Sequence, residues 1–420
     1  MQSMSHCIFR FLSSIKIKPA THLLLFDLNA GGHHGQYIKQ LTEYWSTNSY
    51  PGLLSIVVTS QLVKRHQEIL EITEQYDHIE IRILPDFEKA GTLIEISKEQ
   101  GRILNDTLTE IKPSHCLLMD FDLFQIPLAL GLRFQFPLVI CGIYFRPFLE
   151  LGKSVQLRDG FRRYVRYMRK RAIFSSALNN PHLSSLFSLD RYFVDAYHSS
   201  RAHILSLCDG IESQNPSMNA TQMKQQIGVE DHRKVALFFG SIVKRKGIFE
   251  LLEAITILSP SDQEKLCLVI VGKVASEDQN TLLYQLESLE RSSRVQLIKE
   301  LHFITDVEMA NYMTASDLVL LPYIGHTHSS GILVRAAIAG KPVLGSNDGL
   351  IGRYIRDYKL GLDVISTDPS EIATGILMWL NSPDTFPFAA SKSNEFASKH
   401  SAKQFSKTIF DQIYTESNDL

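Results

Sequence analysis

Short apolar runs alternate along the chain with longer stretches of helical period. Runs at 22–28, 53–59, 79–84, 115–121 and 137–143 predict strands, and segments between them, such as 36–45 and 93–111, predict helices. The strand runs are apolar at nearly every position. That is what a parallel sheet covered on both faces requires, because neither face meets water. Near residue 200 the alternation pauses. The stretch 209–219 is polar, contains Gly210, Asn215 and Pro216, and predicts a hinge or linker. Runs resume at 234–239, 266–271, 294–299, 317–321 and 342–345. Thr305 and Glu308 stand at capping-box spacing and predict a helix running to Ala315. The pattern predicts an α/β fold of two Rossmann-like, doubly wound domains facing a cleft, where ligands bind beyond the carboxyl ends of the strands. The expected boundaries are a leader over 1–20, a first domain over 21–200, a linker region over 201–232, a second domain over 233–395 and a C-terminal helix over 396–420.

Composition narrows the class. A chain of 420 residues exceeds one hydrophobic core. Its 44% apolar and 21% charged content is that of an ordinary globular protein, and a net charge of -2 gives no support for nucleic acid. Five cysteines (Cys7, Cys116, Cys141, Cys208, Cys267) stand singly, without the pairs of a zinc cluster or disulfide framework. That usage suits a reducing cytoplasm, the expected location. No segment reaches the roughly 18 apolar residues of a membrane span. The first residues, interrupted by Arg10, read as a frayed leader rather than a signal peptide. The stretch 158–171 mixes Arg158, Arg162, Arg163, Arg166, Arg169, Lys170 and Arg171 with Phe161, Tyr164, Val165, Tyr167 and Met168. A basic aromatic helix of this kind suits peripheral contact with anionic lipid at an inner membrane face. Its cations do not segregate to one side, so a solvated surface helix is the preferred reading.

Three glycine-rich turns carry the candidate chemistry. The first, Asn29-Ala30-Gly31-Gly32-His33-His34-Gly35, follows the first strand and opens a helix. Its glycines let backbone N–H groups approach a ligand. The second, Phe239 to Gly247, ends a buried strand at Gly240 and continues through Ser241, Lys244, Arg245 and Lys246 to a helix starting at Ile248. Cations beside a helix N-terminus suit a diphosphate. The third runs from His326 through Thr327, His328, Ser329, Ser330, Gly331 and Ile332 to Arg335, then to Gly340 and Pro342. A helix is expected near Ser329, capped by Ser329 or Ser330, with its free N–H groups holding phosphate. Arg335 lies four residues beyond Gly331, and its side chain leans back toward that ligand. His33-His34 and His326-x-His328 lack carboxylate or cysteine neighbours at useful spacing, so no metal is expected. Serine-hydrolase, Walker A, kinase and zinc-protease signatures are absent from the sequence.

In this order and spacing the three turns resemble the retaining GT-B glycosyltransferases of family 4, most closely over 234–364. The resemblance implies that the first domain faces the acceptor and the second binds a nucleotide-diphospho-sugar. Gly31 and Gly32 match the family's N-terminal glycine loop, and Lys246 matches its phosphate-binding lysine. The contacts implied for the donor are Gly240, Ser241, Lys244, Lys246, Thr327, Ser329, Ser330, Gly331, Ile332 and Arg335. It further implies a carbohydrate or lipid-linked acceptor, no cofactor beyond the donor, and a last helix that crosses back onto the first domain.

The departures lie at the site. Thr327 and Arg335 stand where the family often has two glutamates. Arginine cannot accept ribose hydroxyls as a glutamate does, but it can bind a diphosphate oxygen and so offset Ser241, which replaces an arginine. The histidine often found at the end of the fifth strand is absent from Cys141-Gly142-Ile143-Tyr144. Asp120 and Asp122, expected at the end of the fourth strand, are the candidate catalytic acids, with strand alternation allowing one to face the cleft. Retaining glycosyl transfer is the expected function. The alternatives are a non-catalytic sugar- or nucleotide-binding protein of this fold, or a nucleotide-sugar epimerase.

Overall fold

A computed structural model describes residues 21–48, 50–86, 91–149, 156 and 160–419, with side chains as far as 415. The expected leader, 1–20, and Arg158 lie outside these residues. The first sheet contains β1 His22–Phe26, β2 Leu53–Thr59, β3 Ile79–Leu84, β4 His115–Leu118, β5 Val139–Tyr144, β6 Leu183–Ser188 and β7 His203–Ser206. The second contains β8 Lys234–Phe239, β9 Leu266–Val271, β10 Gln296–Glu300, β11 Leu318–Leu321, β12 Val343–Ser346 and β13 Gly361–Val364. Their orders are β3-β2-β1-β4-β5-β6-β7 and β10-β9-β8-β11-β12-β13. All these pairings are parallel.

Period-two alternation distributes each apolar run over two cores. Leu23 and Leu25 of β1 enter one layer, and Leu24 and Phe26 the opposite one. Likewise Val235, Leu237 and Phe239 of β8 oppose Ala236 and Phe238. Strands buried on both faces are therefore apolar throughout. Strand order reverses beside β1 and beside β8, and ligands of such sheets bind at the crevice formed there.

Several elements depart from the sequence expectation. The run at 115–121 gives a strand only as far as Leu118. The chain turns at Asp120 (φ -133°, ψ 84°) into the helix Phe121–Ala129. Asp120 and Asp122 therefore do not follow strand alternation, because one is the residue just before the helix, without capping it by side chain, and the other lies in its first turn. β5 starts at Val139 rather than Pro137, whose imide cannot donate to a ladder. β6, β7 and β13 carry no strong apolar run. β7 is half-exposed and falls within the stretch expected as linker.

The two halves are joined by more than the connection. The helix Ala402–Asp419 lies on the helix His34–Thr47 of the first domain. Phe405 stacks on Tyr37 with centroids 4.5 Å apart, and Phe410 reaches Tyr50 at 4.9 Å and Trp45 at 5.7 Å. Arg191 donates to the Tyr358 hydroxyl at 3.0 Å across the halves. Gly210 has φ 60°, and a Cβ there would sit 2.8 Å from the Phe405 ring, so glycine lets the connection pass beneath this helix. Phe410→Ala should cost about 3–5 kcal/mol through the cavity it leaves. Urea unfolding measures this, and a loss below about 1 kcal/mol would contradict the packing described.

Candidate functional site

The turn after β8 is shaped by backbone that only glycine tolerates. Gly247 has φ 73°, and a Cβ there would lie 1.8 Å from the Pro322 carbonyl at the end of β11. Gly240 has φ 114° and faces the Lys246 ammonium, which a Cβ would approach to 2.8 Å. Lys246 Nζ donates to the Tyr323 hydroxyl at 3.0 Å and lies 4.7 Å from the centre of that ring. A cation is thus held at the ends of β8 and β11. Ser241 and Lys244 are exposed on the outer part of the turn.

The third turn lies beside it. The helix starts at Gly331 rather than near Ser329. Ser330 is its N-cap residue, but neither serine caps it by side chain. The hydroxyl of Ser329 instead donates to Asp209 of the connection. The N–H groups of the first turn, including those of Gly331 and Ile332, therefore have no side-chain cap, and the helix dipole favours an anion there. Thr327 accepts the Leu350 N–H through its carbonyl at 3.2 Å, and His326 meets the Ser329 carbonyl at 3.1 Å. Burial, then His326, Arg146 and Lys170, lower His328 to about 4, so it is neutral at neutral pH.

Arg335 is largely buried, but its ion pair is with Asp306 at the start of the helix Asp306–Ala315, 3.3 Å away. It lines a cavity of about 260 Å³ with Glu212 to Pro216, Met309, Met313 and Ile338. The sequence expectation had its guanidinium returning to the Gly331 turn and offsetting Ser241. The available carboxylate of Asp306 instead draws it to the neighbouring helix.

The first turn forms the opposite wall. Gly32 has φ 63°. The His33 ring lies 3.9 Å from where a Cβ on Gly331 would be, so the first and third turns meet. Behind them is a buried polar cluster that the sequence reading missed. His34 Nδ1 is 2.7 Å from Asp27 Oδ2. Its Nε2 is 3.3 Å from Asn29 Nδ2 and 4.0 Å from Asp120 Oδ2. Burial alone would lower His34, but the hydrogen bond and charge of Asp27, with the charge of Asp120, bring it above its ordinary value. The His34 ring lies 5.4 Å from Phe145, next to the end of β5, where the family resemblance expects a histidine. Asp120 Oδ1 is buried and finds no hydrogen-bond partner among the described residues. Asp122 Oδ2 accepts from the Phe145 N–H at 2.9 Å. The signal for this cluster was Asp27, a charge ending a wholly apolar strand. Among the described residues, no group of three or more His, Cys, Asp or Glu is arranged to hold a metal ion.

Comparison with known proteins agrees with this architecture. Residues 219–398 match the family model described as glycosyl transferases group 1. D-inositol 3-phosphate glycosyltransferase 2 of Catenulispora acidiphila is 25% identical over 166 residues, which are 38% of this chain and 38% of that protein. The chain thus matches well under half the length of this relative. Among solved structures, Anabaena HepE in complex with UDP and glucose superposes with a TM-score of 0.60 at 16% identity, covering 94% of this chain and all of that one. Sucrose-phosphate synthase of Thermosynechococcus elongatus gives 0.65 at 14% identity over 94% and 98%. The fold is GT-B.

Asp122 generates a pH dependence. Burial first, and the negative charge of Asp120 second, push it up to about 7. In the unfolded chain this carboxyl ionises near about pH 4. Its raised value therefore costs stability progressively as pH climbs from there to about 7. Relative to wild type, Asp122→Asn should gain on the order of a few kcal/mol across that window. Denaturant unfolding at several pH values checks this, and parallel stability profiles would contradict it.

Proposed function

We propose that the protein transfers a sugar, with retention, from a nucleotide-diphospho-sugar to a hydroxyl of a carbohydrate or lipid-linked acceptor. The observation that carries the reading is the convergence of Lys246 with the uncapped Gly331 helix N-terminus, opposite a wall containing Asp120. A cation and oriented N–H groups stabilise the negative charge that grows on a departing diphosphate. The bond between the sugar's anomeric carbon and the phosphate oxygen breaks, and the diphosphate keeps the electron pair. The acceptor oxygen then bonds to that carbon from the same face, and its proton passes to a phosphate oxygen of the leaving group. Asp120 accepts a hydrogen bond from the acceptor hydroxyl through Oδ1 and so aims it, while Asn29 and His34 hold Oδ2. No metal is required, because Lys246 and the helix end provide the positive charge. Domain closure excludes water and limits donor hydrolysis.

Thr327 and Arg335, in the places where the resemblance expects glutamates, support a second reading: a protein that binds the nucleotide-sugar without transferring it. UDP-, GDP- and ADP-sugars distinguish the two. Transfer predicts that at least one donor raises the melting temperature and is slowly hydrolysed. Asp120→Asn should lower that hydrolysis about a hundredfold while nucleotide affinity stays within about twofold. Stabilisation without consumption of any donor would favour the binding protein, and neither effect with any donor would sink both readings.

A further inference from the structure

The helix Phe161–Ala177 covers most of the basic stretch 158–171. Its inward face carries Tyr167, Phe174 and Ala177, packed beneath the first sheet. On the opposite face Phe161, Val165, Met168 and Ala172 are all exposed, the first three by 71%, 47% and 40%. Spacings of four, three and four residues put them on one continuous stripe. Arg162, Arg166 and Arg169 border one side of the stripe and Arg171 the other, with Arg163 and Lys170 behind. The helix contains no acidic residue. The cations are spread because they flank a stripe rather than form a face, which sequence counting alone did not show.

We propose that this helix seats the first domain on an anionic phospholipid surface, with Phe161, Val165 and Met168 entering the headgroup boundary and the flanking arginines on lipid phosphates. The charge complementarity is direct, and a row of exposed apolar side chains between cations is the pattern of an interfacial helix. A nucleic acid would use the cations but leave Phe161, Val165 and Met168 in water. Lys170, on the back of the helix, adds with Arg146 a small electrostatic effect on His328 of the third turn. Seating the helix on a bilayer holds the protein at the surface where a lipid-linked hydroxyl is found. This consequence rests on the transfer reading, whereas the surface contact does not.

Flotation of the full chain with phosphatidylcholine vesicles, with and without phosphatidylglycerol, tests the contact. Wild type should prefer the anionic vesicles by about tenfold or more and release in high salt. Phe161→Ser/Val165→Ser/Met168→Ser and Arg162→Gln/Arg166→Gln/Arg169→Gln should each lose about tenfold or more of that binding. Both variants should keep the wild-type circular dichroism spectrum and nucleotide-induced thermal shift. If the triple serine variant unfolds, Val165→Asp alone takes its place. Equal flotation with both vesicle types overturns the proposal. So does a serine variant that binds like wild type, or stronger capture by single-stranded DNA than by vesicles. Loss of donor hydrolysis with intact flotation would count against the transfer reading and leave this one standing.

Discussion

A carboxylate removed from water must find compensating donors, and Asp209 finds them in two parts of the chain at once. It accepts the hydroxyl of Ser329 in the third turn and faces His400, 3.1 Å away, just ahead of the C-terminal helix. Burial would raise this carboxyl, but the His400 hydrogen bond and charge, the Ser329 hydroxyl and His33 outweigh it, and Asp209 sits below the ordinary value. It therefore stays ionised at neutral pH. Breaking one side of such a contact leaves a buried charge short of a partner, which is strongly destabilising. The connection, the third turn and the helix that returns to the first domain thus meet at one residue. Because Ser329 is spent on Asp209, it does not cap the helix at Gly331, and the N–H groups there stay open to a ligand.

The two walls of the cleft differ in charge, although the first domain also places Arg146 3.7 Å from Asp122. The second domain contributes Lys246 and a helix N-terminus. The first contributes Asp120, Asp122 and Asp27, with His34 between two of them. Burial first, and the negative charge of Asp120 second, raise Asp122 above the ordinary carboxylate value. The proposed transfer, with an anionic leaving group and a hydroxyl that must lose a proton, calls for opposite environments of this kind.

Much of this was legible in the sequence. Strands buried on both faces announce themselves as apolar runs, so β1, β2, β8 and β9 lie where those runs are, whereas the half-exposed β3 shows as an alternating one. The capping box at Thr305 forms as its spacing requires. The edge strand β7 was not legible, because a half-exposed strand has no such run. Nor was the Asp27–His34–Asp120 cluster, because Asp120 is far along the chain from the other two and joins them only through the pairing of β1 with β4. The ion pair of Arg335 with Asp306 was not legible for a related reason. Helical spacing locates a side chain relative to its own helix, whereas Asp306 comes from another. The stripe of Phe161, Val165 and Met168 needed the packed face to be known first.

The central claim is that a diphosphate sits between Lys246 and the Gly331 helix N-terminus. A crystal structure of the protein with UDP tests it most directly. The account predicts phosphate oxygens at about 3 Å from Lys246 Nζ and from the backbone nitrogen of Gly331 or Ile332. A diphosphate bound instead in the cavity beside Arg335 and Glu212, with Lys246 still held by Tyr323 alone, would contradict it.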